Sequence, residues 1–113
     1  NIIKIATIIN KHSPETKIFI QTILPVNKNQ FKRVRGFYPK HEKAVNQKIN
    51  EINLKLYEND SKSRYSIIDL NSIFLDQNKE MNKIYSTDGV HLNESGYDLW
   101  TQYIGHHIDS INK

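Results

Sequence analysis

The chain has 113 residues, enough for one domain with its own core, and its 37% apolar and 25% charged residues exclude a disordered chain. The longest apolar run, residues 18–26, is short and interrupted by Gln21, Thr22 and Pro25, which excludes a membrane span, and the absence of cysteine excludes disulfides, thiolate metal sites and a cysteine nucleophile. The net charge is +4, with much of the excess in residues 28–43, KNQFKRVRGFYPKHEK. A basic stretch of this kind reads first as a solvated loop and helix start. Phe31, Phe37 and Tyr38 interleave with its cations, so an anion-accepting cleft rim or a stacking surface is a sharper reading. One short patch is a weak footprint, and a nucleic-acid partner is not expected.

In chain order, the first segment lacks a signal-peptide layout and reads as an amphipathic helix already under way. Beginning at Asn1 rather than Met, it suggests that something precedes residue 1. Ile2, Ile5, Ala6 and Ile9 recur at helical spacing through His12, and Ser13-Pro14 stops the pattern. KIFIQTIL (17–24) is apolar on both alternations, as in a strand buried on both faces of a parallel sheet, and Pro25 ends its pairing capacity. A polar, basic loop is expected from there to Tyr38. Pro39 suits the first turn of a helix whose apolar stripe is Val45, Ile49, Ile52 and Leu56. Asn59-Asp60-Ser61 breaks it, and YSIIDL (65–70) reads as a second strand. A polar loop then leads to Asp88. Asn93 is placed to cap a long helix with Leu99, Trp100, Tyr103, Ile104, Ile108 and Ile111 on its apolar face.

Strand, helix, strand predicts a parallel pair, 18–24 beside 65–70, with the 39–56 helix as crossover. Two parallel strands make a poor sheet, and the first would present an open edge, which invites a strand from elsewhere. The pattern therefore looks like half of a larger α/β domain.

The chemistry concentrates in YSTDGVHLNESGY (85–97). Asp88 and His91 stand three apart where loop passes into helix, a spacing that brings Cβ atoms to about 5–6 Å in a helical turn. A carboxylate on one imidazole nitrogen fixes the tautomer and leaves the other nitrogen as a base toward a hydroxyl. Gly89 between them permits an unusual backbone angle or close packing. An Asp-x-x-His pair alone is more often a surface accident. Its context is specific. DGVHLNESGY resembles the last sequence block of the SGNH (GDSL-type) hydrolases, KIFIQTILPVN their penultimate strand and YSIIDLNSIF their last strand, in order and over nearly the whole chain.

That resemblance implies a three-layer α/β/α, flavodoxin-like fold of which residues 1–113 supply the last two strands and flanking helices. It implies a carboxylic ester hydrolase using a Ser-His-Asp triad, with Asp88 and His91 as two members and no cofactor. The family's Gly-Asp-Ser nucleophile block and its oxyanion-hole Gly and Asn blocks lie further upstream, and none is present here. Ser86, close to Asp88, reads as loop polar. Substrate contacts are expected from Asn27, Phe31, Arg35 and Tyr38, since the 27–38 segment leaves the C-terminal end of a strand, where open α/β sheets bind ligands. Candidate substrates are small esters such as acetylated sugars or lysophospholipids, and the expected partner is a missing N-terminal segment or complementing chain. The alternative is a non-catalytic piece that completes a sheet. A zinc site from Asp88, His91 and His41 is conceivable but lacks ligand spacing, and no metal is expected. His106 and His107 are adjacent on one helix and point to different faces. The compartment stays open.

Overall fold

The computed structural model describes residues 2–40, 44–60 and 64–111, without the side chains of Ser110 and Ile111. Helix α1 (Ile2–His12) leads to strand β1 (Phe19–Gln21), which pairs in parallel with β2 (Ser66–Ile68) in the register Phe19↔Ser66, Ile20↔Ile67, Gln21↔Ile68. Between them lie α2 (Lys28–Arg35) and α3 (Val45–Glu58); after β2 come α4 (Leu70–Ile73), a 3-10 turn (Lys83–Tyr85) and α5 (Glu94–Ile111).

Alternation along the strands sends successive side chains to opposite faces. On one face Ile20 packs with Ala6 of α1, Leu56 of α3 and Tyr65, whose hydroxyl donates to the Leu56 carbonyl. On the other, Ile68, Leu70, Phe74 and Met81 meet Phe19 and the Leu99, Trp100, Tyr103 and Ile104 face of α5. Helices thus cover both sides of the pair, giving the expected three layers. Among the described residues the sheet has two strands.

Both strands are shorter than their apolar runs, and for β1 the reason lies in α3. Asn53 accepts from the Ile23 N–H at 2.8 Å and donates to the Ile23 carbonyl at 3.0 Å. Asn46, two turns earlier on the same face, does the same for Val26 at 2.8 and 2.9 Å. These amides replace the ladder partners that a longer β1 would need. They also overturn the expected stripe. Asn53 and Leu56 are buried, whereas Ile52 is 43% exposed, because the helix must present Asn53 to the strand. On α1, likewise, Ala6 is buried with Ile3 beside it, while Ile2 and Ile5 are exposed over an apolar groove shared with Ile9, Ile18 and Ile20.

Three further expectations are corrected. The basic loop after Pro25 contains α2. Asn27 Oδ1 caps it by accepting from the Gln30 N–H at 3.0 Å, Gly36 ends it at φ +78°, and its last-turn cations suit the helix dipole. With Phe31 and Val34 as its two apolar residues, this helix carries too short a stripe to stand out in the sequence. Pro39 and Lys40 lie outside α3, which starts at Val45; residues 41–43 lie outside the described residues. The loop after β2 is ordered by α4 and by antiparallel bridges Leu75↔Met81 and Ser86↔Leu92. Asn93 caps α5 as expected, accepting from the Gly96 N–H at 2.9 Å. Ile108, expected on its apolar face, is exposed.

Asn53→Ala strips the buried partner from the Ile23 N–H and is expected to lower unfolding stability by about 1–2 kcal/mol in urea titration. Asn50→Ala, on an exposed position of the same helix, should stay within about 0.5 kcal/mol of the parent. Equal effects at the two positions would contradict the strand-pinning role.

Candidate active site

Residues 86–91 form a tight loop held mostly by its own side chains. Ser86, 2% exposed, accepts the Gly89 N–H on its hydroxyl at 2.9 Å. Asp88 Oδ1 accepts from the Val90 and His91 N–H groups at 2.9 and 2.8 Å. The other oxygen, Oδ2, lies 2.6 Å from His91 Nδ1. An ionised carboxylate has no proton to give, so in the neutral ring Nδ1 carries the hydrogen and Nε2 the lone pair. The His91 side chain is 74% exposed, so that lone pair sits on an open ring rather than in an enclosed cleft. The His91 ring hydrogen bond, then the two backbone donors, hold the Asp88 carboxyl well below the usual carboxylate range.

Gly89 shows why this loop sits where it does. Its φ is +84°, and a Cβ there would lie 2.4 Å from the Asn27 carbonyl oxygen and 2.8 Å from the Phe31 nitrogen. The Asn27 N–H donates to the Gly89 carbonyl at 2.9 Å. The loop therefore rests directly on the N-terminus of α2, and only glycine fits. Gln30 reinforces the contact, donating to the Ser86 carbonyl at 2.7 Å. Arg35 reaches the Asp88 carbonyl at 3.3 Å and Oδ2 at 3.4 Å.

The residues singled out in the 27–38 segment fall in different settings. The Asn27 side chain is engaged by the α2 cap and by the Met81 carbonyl, 2.9 Å from its Nδ2. Phe31 is half-buried, edge-on to Phe37 and Tyr38 at centroid distances of 5.9 and 5.5 Å, with the Arg35 guanidinium 4.3 Å from its own centroid. Tyr38 lines a groove with Lys28, Lys32, Phe37 and Lys40. Burial, then the charge of Glu80, pushes its phenol up. A larger polar cavity of about 810 Å³ separates α2 from residues 75–83, lined by Asn27, Gln30, Arg33, Asp76 and Glu80 among others. Neither His91 nor Asp88 lines it.

His107 packs edge-on against Phe19 at 6.1 Å, while His106 is exposed. Among the described residues no three His, Cys, Asp or Glu side chains gather as a metal site, and His41 lies outside those residues. Reading the sequence missed Ser86 and Gln30 as parts of the loop's frame. The Ser-x-x-Gly spacing, with a hydroxyl able to accept an N–H three residues on, was the available signal for the first.

A parallel α/β sheet covered on both faces, with an Asp-His pair in the loop that opens its last helix, is an arrangement of the SGNH fold class. The chain belongs to the GDSL-like lipase/acylhydrolase family, which it matches over residues 2–104. Its fold is similar to that of a solved Streptococcus pneumonia protein provisionally described as a platelet activating factor, with a TM-score of 0.77 and 24% identity. The match covers 94% of this chain and 48% of that one, so the chain spans about half the length of its solved relative. The comparison with curated proteins returned no match.

Because the folded Asp88 carboxyl lies below its unfolded value of about 3.9, its contribution to stability is complete above that pH and fades as acid is added below it. The Asp88 side-chain carboxyl carbon should therefore keep its ionised NMR shift at pH 3, where an ordinary aspartate is mostly protonated. The stability gap between the parent and Asp88→Asn should narrow below about pH 4. A midpoint near 3.9 would contradict the pairing described here.

Proposed function

We propose that this chain supplies the acid and the base partner of a Ser-His-Asp triad to a carboxylic ester hydrolase. In this reading residues 1–113 are the C-terminal part of one SGNH domain, and the nucleophilic serine and oxyanion donors come from another segment. The observation that carries the reading is the 2.6 Å contact between Asp88 Oδ2 and His91 Nδ1, with Nε2 left on an exposed ring. His91 Nε2 takes the serine proton as the hydroxyl attacks the acyl carbonyl, then returns it to the departing alcohol. Asp88 holds the tautomer and stabilises the imidazolium that forms between those steps. Water repeats the sequence on the acyl-enzyme, and the chemistry calls for no cofactor.

The exposed isoleucines of α1 and the apolar groove beside β1 support a sheet that continues past β1. The substrate is a small ester, such as an acetylated sugar or a lysophospholipid. Phe31 and Tyr38, in the 27–38 segment, are its proposed contacts, whereas the side chains of Asn27 and Arg35 are already engaged with α2, Met81 and Asp88.

The test compares the 113-residue chain alone with the same chain joined to the residues encoded ahead of it, on a short activated ester. The joined protein should turn over, and His91→Ala or Asp88→Asn should each lower kcat by about 10⁴-fold. The chain alone should not exceed its own His91→Ala variant. Turnover by the chain alone, with a serine-directed phosphonate labelling one of its serines, would place the nucleophile inside these residues. A folded but inactive joined protein would favour a non-catalytic, sheet-completing role.

A further inference from the structure

Arg35 reaches from the last turn of α2 to the 86–91 loop. One guanidinium nitrogen donates to the Asp88 backbone carbonyl at 3.3 Å, and the other to Asp88 Oδ2 at 3.4 Å. The same guanidinium lies over the Phe31 ring, with Cζ 4.3 Å from its centroid. Phe31 and Arg35 are four apart on one helix, so the stacking is local and the donors are aimed by it. The edges of Phe37 and Tyr38 in turn pack on Phe31. An arginine can stack by its face and donate by its edge at once; a lysine cannot.

Asp88 divides its oxygens accordingly. Oδ1 accepts from the backbone of its own loop and, at 3.4 Å, from the Ser86 hydroxyl, and Oδ2 is shared between His91 Nδ1–H and Arg35. We propose that Arg35 is a positioning residue for this pair, holding the Asp88 carboxylate from the α2 side so that Oδ2 stays on His91 Nδ1–H. The inference rests on the triad reading of Asp88 and His91.

The experiment reads the nitrogen NMR signals of the neutral His91 ring in the intact protein, which report the Nδ1–H tautomer, alongside kcat and KM. Arg35→Gln should turn the single Nδ1–H tautomer into a mixture and lower kcat several-fold with KM unchanged. Arg35→Lys should restore only part of both, since it lacks the planar fork. If Arg35→Gln does not fold, Phe31→Leu loosens the guanidinium and should give a smaller loss of the same kind. An unchanged tautomer with a several-fold rise in KM would overturn the proposal in favour of a substrate contact. An unchanged tautomer with only a lower Tm would overturn it in favour of a structural role. The tautomer is read without turnover, so a mixture on Arg35→Gln in an inactive protein upholds Arg35 while defeating the esterase reading.

Discussion

Where the chain leaves β1, and again just before it enters α5, two stretches of backbone touch. The Asn27 N–H donates to the Gly89 carbonyl, and the Asn27 carbonyl lies so near Gly89 Cα that no Cβ fits between them. Much of the site depends on this approach. Asn27 caps α2, so the helix begins at the contact, and its first turn carries Gln30 to the Ser86 carbonyl. Its second turn carries Arg35 to Asp88. Remote in sequence, the two loops become one surface through a glycine with positive φ.

Polar side chains also shape the scaffold. In a larger sheet, an apolar run such as 17–24 would find its hydrogen-bond partners in neighbouring strands. Here Asn46 and Asn53 end that ladder early by binding Ile23 and Val26 through both backbone groups. Asn71 adds a further donor to the Ile23 carbonyl at 2.9 Å, and its own N–H meets the Thr22 hydroxyl at 2.8 Å. The chain is thus turned out of the sheet at a defined point and delivered to α2. Buried amides cost desolvation, and a complete set of partners offsets that cost. The placement of α2, and so of everything that braces Asp88, follows from hydrogen bonds more than from apolar packing.

Electrostatics at the site is local. Asp88 is held ionised chiefly by hydrogen bonds from His91 and its loop backbone, at distances of 2.6 to 2.9 Å, with Arg35 as a longer contact on the shared oxygen. Among the described residues of the 28–43 stretch, Lys32, Arg33 and Lys40 are exposed, which agrees with reading that stretch first as a solvated face.

Local chemistry was legible in the sequence wherever a residue acts on its neighbours. The Asp88–His91 contact spans three residues, the Asn93 cap spans three, and Gly89 announces an unusual backbone angle by being glycine. The parallel pairing of two apolar runs across a helix was legible too, since apolar alternation and crossover length leave few topologies. Tertiary structure decided the rest. Whether Ile52 or Asn53 faces inward depends on Ile23, thirty residues away. Whether residues 28–35 are loop or helix depends on a cap and a C-terminal glycine that hydropathy does not register. Whether Arg35 faces solvent or Asp88 depends on where α2 lands against the 86–91 loop. Periodicity reports a residue's relation to its own helix or strand, whereas a polar contact between distant segments exists only once the chain has closed.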